Sequence, residues 1–256
     1  MSWIEGIGGA LIDVDGTLLS GDRAIPGTAE ALGRLRERGI DYRLMTNTTR
    51  RSRSEQARAL GAEGFEVEER EILMPAALAR RRIMASDRAD SFLLVPSAAL
   101  PDFEGVPSNE TDPAWVVLAD LGPRFEWERF NRAFRCLMRG ATLLALQKNP
   151  YWDPGDGPQL DAGAFVAGLE FATGIDAVLI GKPSRDFFEL ALEDLQLPAE
   201  AVLVIGDDPL NDARGGAGAG CRTALVRTGK FQGEADLGPD GFRPDLVLDS
   251  LADLMA

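Results

Sequence analysis

The sequence places acids in pairs at the ends of apolar runs. Asp13 and Asp15 follow Gly9-Ala10-Leu11-Ile12, with Gly16 and Thr17 immediately after. Asp207 and Asp208 follow the run Ala201 to Ile205 and Gly206, and Asp212 comes about one helical turn later. Thr46, Asn47 and Thr48 end the run from Ile40 to Met45, and Lys182 follows Ala177 to Ile180 and Gly181. If these run ends converge, five carboxylates share a small site with one lysine. Two like charges ~4 Å apart repel by about 4 kcal/mol at an effective dielectric of ~20. Such a cluster persists only around a cation or by taking up protons. An oxygen-only donor set favours a hard ion, and Mg2+ keeps open positions for waters and a phosphate oxygen.

That arrangement suits phosphoryl transfer. A carboxylate attacks phosphorus and forms an aspartyl-phosphate. A second carboxyl, two residues on, protonates the leaving group. A hydroxyl and backbone amides at the second run end hold phosphoryl oxygens, and the lysine balances the negative charge. Gly16 lets the chain turn tightly beside a phosphate with no Cβ in the way.

Composition narrows the alternatives. The 256 residues include no histidine, which removes Ser-His-Asp and Cys-His catalysis and the HExxH zinc sites. Cys136 and Cys221 are too few for a thiolate metal site or a disulfide framework. A net charge of −14 repels nucleic acid and acidic membrane surfaces, so an anionic substrate needs local positive groups or a metal. No apolar window approaches the ~18 residues of a membrane span, and the N-terminal apolar stretch contains Glu5 and ends in Asp13. The expectation is a cytoplasmic protein with a small phosphorylated substrate and neither nucleic-acid nor membrane partners. The sequons at Asn47 and Asn109 are then chance matches.

The elements that must position these residues read as α/β. Short apolar runs alternate with helical patterns. Strands are expected at 9–12, 40–45, 177–180, 201–205, 222–226 and 245–248, with helices over 28–38 and 52–60. A further helix follows Ser184, its expected cap, and Pro209 suits a first helical turn. In a doubly wound parallel sheet, Rossmann-like in form, ligands bind at the carboxyl ends of strands, where the acids lie. Residues 77–177 differ in texture and end in the turn-rich stretch NPYWDPGDGPQLDAG. They read as an inserted α/β cap domain within a core formed by 1–76 and 178–256.

The four stretches DVDGT, TNTT, GKP and GDDPLND resemble the ordered motifs of the haloacid dehalogenase (HAD) superfamily of magnesium-dependent phosphatases. The insertion between the second and third resembles the cap of its type IIA branch. Within that branch, QKNPYW, LDAGAF, EFATGI and VRTGKF are similar to the phospholysine phosphohistidine inorganic pyrophosphate phosphatase group. The resemblance implies Asp13 as nucleophile and Asp15 as acid and base. It implies Thr46, Asn47 and Thr48 at the phosphoryl oxygens, with Lys182 stabilising the charge. Mg2+ would be held by Asp13, the carbonyl of Asp15, and Asp207, with Asp208 and Asp212 acting through water or behind the ligands. The implied reaction is hydrolysis of a phosphate monoester, phosphoramidate or pyrophosphate, with the cap closing to exclude water. Caps of this kind mediate dimers in the family, so a homodimer is admitted. A phosphotransferase with an organic acceptor shares the first half-reaction, and a phospho-Asp receiver module shares the acids, Thr and Lys but lacks a cap.

Plainer readings stand beside these. Lys182 is not a P-loop lysine, because Asp176 occupies the first glycine position and Pro183 follows. GGAGAG at 215–220 has the wrong spacing for dinucleotide binding and reads as close packing of small residues. Tyr151 and Trp152 fit either a substrate pocket or the cap core. Arg50, Arg51 and Arg53 read as a solvated face rather than contacts to an anionic leaving group.

Overall fold

A computed structural model describes residues 5–152 and 157–255 of the chain. Residues 153–156 of the turn-rich stretch, and the side chain of Trp152, lie outside the described residues. The chain divides into two compact units. One comprises Met1–Thr46, Ser54–Leu73 and Lys182–Ala256, and the other comprises Asn47–Arg53 and Met74–Gly181.

In chain order, the elements begin with β1 (Gly9–Asp13), α1 (Thr28–Glu37), β2 (Asp41–Met45), α2 (Arg53–Ala62) and β3 (Ile72–Leu73). The second unit then supplies α3 (Pro75–Met84), β4 (Ser91–Leu94), β5 (Trp115–Leu118), α4 (Trp127–Leu137), β6 (Thr142–Ala145), α5 (Ala162–Thr173) and β7 (Val178–Leu179). The chain returns through α6 (Arg185–Leu195), β8 (Val202–Gly206), α7 (Gly215–Gly218), β9 (Arg222–Val226) and β10 (Leu246–Leu248).

The first unit is built on a six-stranded sheet of order β10-β9-β8-β1-β2-β3, with every pairing parallel. All five residues of β1 and all five of β8 are buried. Burial on both faces explains why these strands read as unbroken apolar runs and not as alternating patterns. The chain leaves β1 toward β2 on one side, while β8 flanks it on the other, so the order reverses at β1. Ligand crevices of doubly wound sheets form at such a reversal. Ile12 pairs with Ile205, which puts Asp13 level with Gly206 and one step from Asp207.

Local signals fix the neighbouring helices. The Ser184 hydroxyl accepts the Phe187 N–H at 3.3 Å and starts α6. After β8, Pro209–Arg214 winds as a π-helical turn with Asp208 at its N-cap. The small residues that follow pack closely, as their composition suggests: a Cβ on Gly216 would lie 2.6 Å from Val204 Cγ2.

The second unit carries its own parallel sheet, of order β7-β6-β5-β4. Its core joins Phe92, Leu118 and Leu143 on the strands to Leu137 on α4 and Val166 and Leu169 on α5. One expectation from the sequence is corrected here. The run before Lys182 is a strand, but it belongs to this second sheet, where Val178 pairs with Leu144. An apolar run looks alike in either sheet, and only the tertiary partner distinguishes them. Lys182 therefore enters the first unit from a loop, not from the end of one of its strands.

Candidate active site

The carboxyl ends of β1 and β8 bring three acids together. Asp13, Asp207 and Asp212 are 5%, 4% and 1% exposed, and each offers an oxygen within 4.8 Å of the others. Lys182, equally buried, donates from Nζ to Asp13 Oδ1 at 2.5 Å and to Asp212 Oδ1 at 2.7 Å. Burial pushes the Asp13 carboxyl up to about 7; Lys182 pulls it down, and Asp207 and Asp15 push it further up. Asp212 rises to about 7 and Asp207 to about 6, again chiefly through burial. Burial works against the charge on Lys182, yet Asp13 and Asp212 hold its pKa above the usual lysine value. Three clustered carboxylates with one ammonium leave an excess of negative charge in a desolvated place.

Hydrogen bonds separate the acids by task. Asp208 lies beside the cluster and not within it. Its Oδ1 accepts the N–H groups of Leu210 and Asn211, and its Oδ2 accepts Asn211 Nδ2 and Lys230 Nζ. Every strong acceptor position on that carboxylate is used. Asp212 is also committed, through Lys182 on Oδ1 and the Asp208 N–H on Oδ2 at 3.0 Å. Asp207 accepts the Lys230 N–H on Oδ2 at 2.7 Å. Asp13 Oδ2 accepts the Thr17 hydroxyl at 3.3 Å. Asp15 is exposed, and its Oδ2 accepts the hydroxyl of buried Thr46 at 3.0 Å.

The donor set fits Mg2+. It is made of carboxylate oxygens, the ligands hard cations take, with no histidine or cysteine among the described residues that form it. The chain also leaves room for the Asp207 carboxylate by placing glycines against it. A Cβ on Gly16 or on Gly229 would lie 2.6 Å from Asp207 Cγ. Gly16 has φ of 87°, so its turn and its closeness to Asp207 both exclude a side chain.

Of the residues singled out in the sequence, Asp13, Asp207, Asp212 and Lys182 meet, and Asp15 joins Thr46. Asn47 and Thr48 open the 47–53 segment of the second unit, where a Cβ on Gly181 would come 2.7 Å from Asn47 Oδ1. Arg50 is exposed, as the solvated-face reading expects, and it is also ion-paired. Its Nε and Nη2 donate to Oδ2 of buried Asp120 at 3.1 and 2.9 Å. Tyr151 is exposed. The sequence reading gave no role to Thr228, Gly229 and Lys230, although Thr228 bonds the Gly16 carbonyl and the other two lie against Asp207. Only three of the 27 basic residues are lysines; Lys182 lies in the acid cluster and Lys230 on Asp208 beside it, a rarity that motif spacing does not register.

The pattern of haloacid dehalogenase-like hydrolases matches residues 10–102, and a HAD-hydrolase-like pattern matches residues 179–254. Phospholysine phosphohistidine inorganic pyrophosphate phosphatase of Xenopus laevis is 36% identical over 246 residues, covering 93% of this chain and 90% of that one. The chain belongs to the haloacid dehalogenase-like hydrolases. Among solved structures, this HAD hydrolase resembles p-nitrophenyl phosphatase from Archaeoglobus fulgidus with a TM-score of 0.92. The sequences are 28% identical over 97% of this chain and 98% of that one. It also resembles glycerol phosphate phosphatase from Mycobacterium tuberculosis, solved in complex with magnesium. There the TM-score is 0.87 and the identity 25%, covering 99% of this chain and 78% of the other. The whole-chain relative and the two structures, unlike the two family patterns, run through residues 103–178 as well as the flanking motifs. The HAD hydrolase is an enzyme of the phosphatase kind. Among its described residues, no helix is long and apolar enough to cross a membrane.

Proposed function

We propose that this HAD hydrolase is a Mg2+-dependent phosphatase that cleaves a small phosphorylated substrate through an aspartyl-phosphate on Asp13. The observation that carries the reading is the buried meeting of Asp13, Asp207 and Asp212, with the Lys182 ammonium on Asp13 and Asp212, at the reversal point of the sheet. Asp13 and Asp207, with the carbonyl of Asp15, would hold the ion, which would supply positive charge to offset the negative charge of the transferring phosphoryl group.

In the first half-reaction an Asp13 oxygen attacks phosphorus, and the bond from phosphorus to the leaving oxygen breaks. The exposed Asp15, steadied by Thr46, gives its proton to that oxygen. Lys182 and the Thr17 hydroxyl keep the Asp13 carboxylate in one orientation for attack. Water then attacks the acyl phosphate, Asp15 takes back a proton, and inorganic phosphate leaves with Asp13 restored. Asp208 holds the π-helical turn and Asp212 holds Lys182. Asn47 and Thr48 are assigned to the phosphoryl oxygens on the family pattern.

Relatives named as phosphatases of aryl phosphate, glycerol phosphate, phosphoamino acids and pyrophosphate define the panel to screen. With p-nitrophenyl phosphate and Mg2+, Asp13→Asn is expected to lower turnover by at least about 10^3-fold. Turnover of the variant within tenfold of the parent would reject Asp13 as nucleophile. Release of free phosphate without an organic acceptor would separate hydrolysis from phosphotransfer.

A further inference from the structure

The loop after β9 reaches back to two other loops that carry site acids. The Thr228 hydroxyl donates to the Gly16 carbonyl at 2.5 Å, in the loop that carries Asp13 and Asp15. The Lys230 N–H donates to Asp207 Oδ2 at 2.7 Å, and the Phe231 N–H to the Asp207 carbonyl at 2.9 Å. The Lys230 ammonium closes the other side on Asp208 Oδ2 at 2.7 Å. Gly229 lies between these ties with its backbone against the Asp207 carboxylate. Its φ lies outside the left-handed region, so no turn requires a glycine there. Closeness to Asp207 is what calls for glycine there: an added Cβ would come 2.6 Å from Asp207 Cγ and 2.8 Å from Asp207 Cβ.

We propose that Thr228, Gly229 and Lys230 form a positioning clamp that locks the loop after β1 to Asp207 and sets the direction of the Asp207 carboxylate. The inference rests on the reading of Asp207 as a cation ligand. Oδ2 is fixed by the Lys230 N–H, which leaves Oδ1 as the oxygen to present. Losing a partner that orients a ligating carboxylate from behind typically costs about 10- to 100-fold in metal affinity. The clamp also accounts for the choice of lysine at 230 in a chain that otherwise prefers arginine. A compact ammonium reaches one oxygen of Asp208, whereas a planar guanidinium would present a fork to a carboxylate already occupied by three other donors.

The test is Mg2+ binding to the metal-stripped full chain, by calorimetric titration with the metal alone. Gly229→Ala is expected to raise the Mg2+ dissociation constant by about tenfold or more, and Thr228→Val by several-fold. In each variant turnover should recover toward the parent as Mg2+ is raised, a split that general damage to the fold would not give. If Gly229→Ala proves too unstable to titrate, Thr228→Val carries the test alone. A dissociation constant within twofold of the parent in Thr228→Val, or turnover that stays low at saturating Mg2+, would overturn the clamp. A parent protein that binds no Mg2+ would instead overturn the phosphatase reading on which the clamp depends.

Discussion

At the scale of single residues, the metal-free site works against the fold. Asp13, Asp207 and Asp212 each have a folded-state pKa above the unfolded value of 3.8, reaching about 6 to 7. Between those values the folded protein binds more protons than the unfolded chain, so stability falls as pH rises. The acids whose pKa values lie below the ordinary range, such as Asp208 and Asp90, complete their opposite effect at lower pH. The melting temperature of the EDTA-treated protein is therefore expected to drop from pH 5 to pH 8, and Mg2+ should raise it more at pH 8 than at pH 5. Asp212→Asn, which removes one titrating group, should flatten the drop. A melting temperature that holds level or climbs over that range in the metal-free protein would contradict the buried-acid account. The acids and Lys182 were legible because each belongs to a short motif. Lys230 was not, because nothing in its spacing links position 230 to position 207. The parallel pairing of β8 with β9 makes that link.

At the scale of elements, legibility followed burial and capping. β1 and β8, buried on both faces, stood out as apolar runs. α6 stood out through Ser184, whose hydroxyl takes the Phe187 N–H. β3, with only Ile72 and Leu73, is too short to show any period. The sheet membership of β7 was hidden for a different reason: pairing with β6 is a long-range choice that its own residues do not encode. The Ser184 cap offers a direct check at this scale. Ser184→Ala leaves an orphan N–H at the start of α6 and should cost about 1 kcal/mol, read as a lower urea midpoint with unchanged slope. No change in midpoint would mean that the buried face of α6, through Phe187 and Phe188, fixes the helix start without the cap.

At the scale of the whole molecule, charge and site pull in opposite directions. The chain carries −14, yet the proposed substrates are anions. Positive charge at the site itself comes from Lys182, paired with Asp13 and Asp212, and from Lys230 over Asp208. The field of the molecule therefore slows the approach of an anion, while the local groups act only at short range. Salt should weaken the long-range repulsion much more than the buried contacts, because screening over about 8 to 10 Å leaves the interior little affected. With free Mg2+ held constant, the KM for a phosphorylated substrate is expected to fall as KCl is raised from about 10 to 150 mM. The fall should be steeper for pyrophosphate than for p-nitrophenyl phosphate, since repulsion grows with substrate charge, and kcat should stay nearly constant. A KM that rises with salt for both substrates would mean that attraction at the mouth of the site outweighs the molecular charge, and would point to cationic side chains near the entrance as the groups that capture the anion.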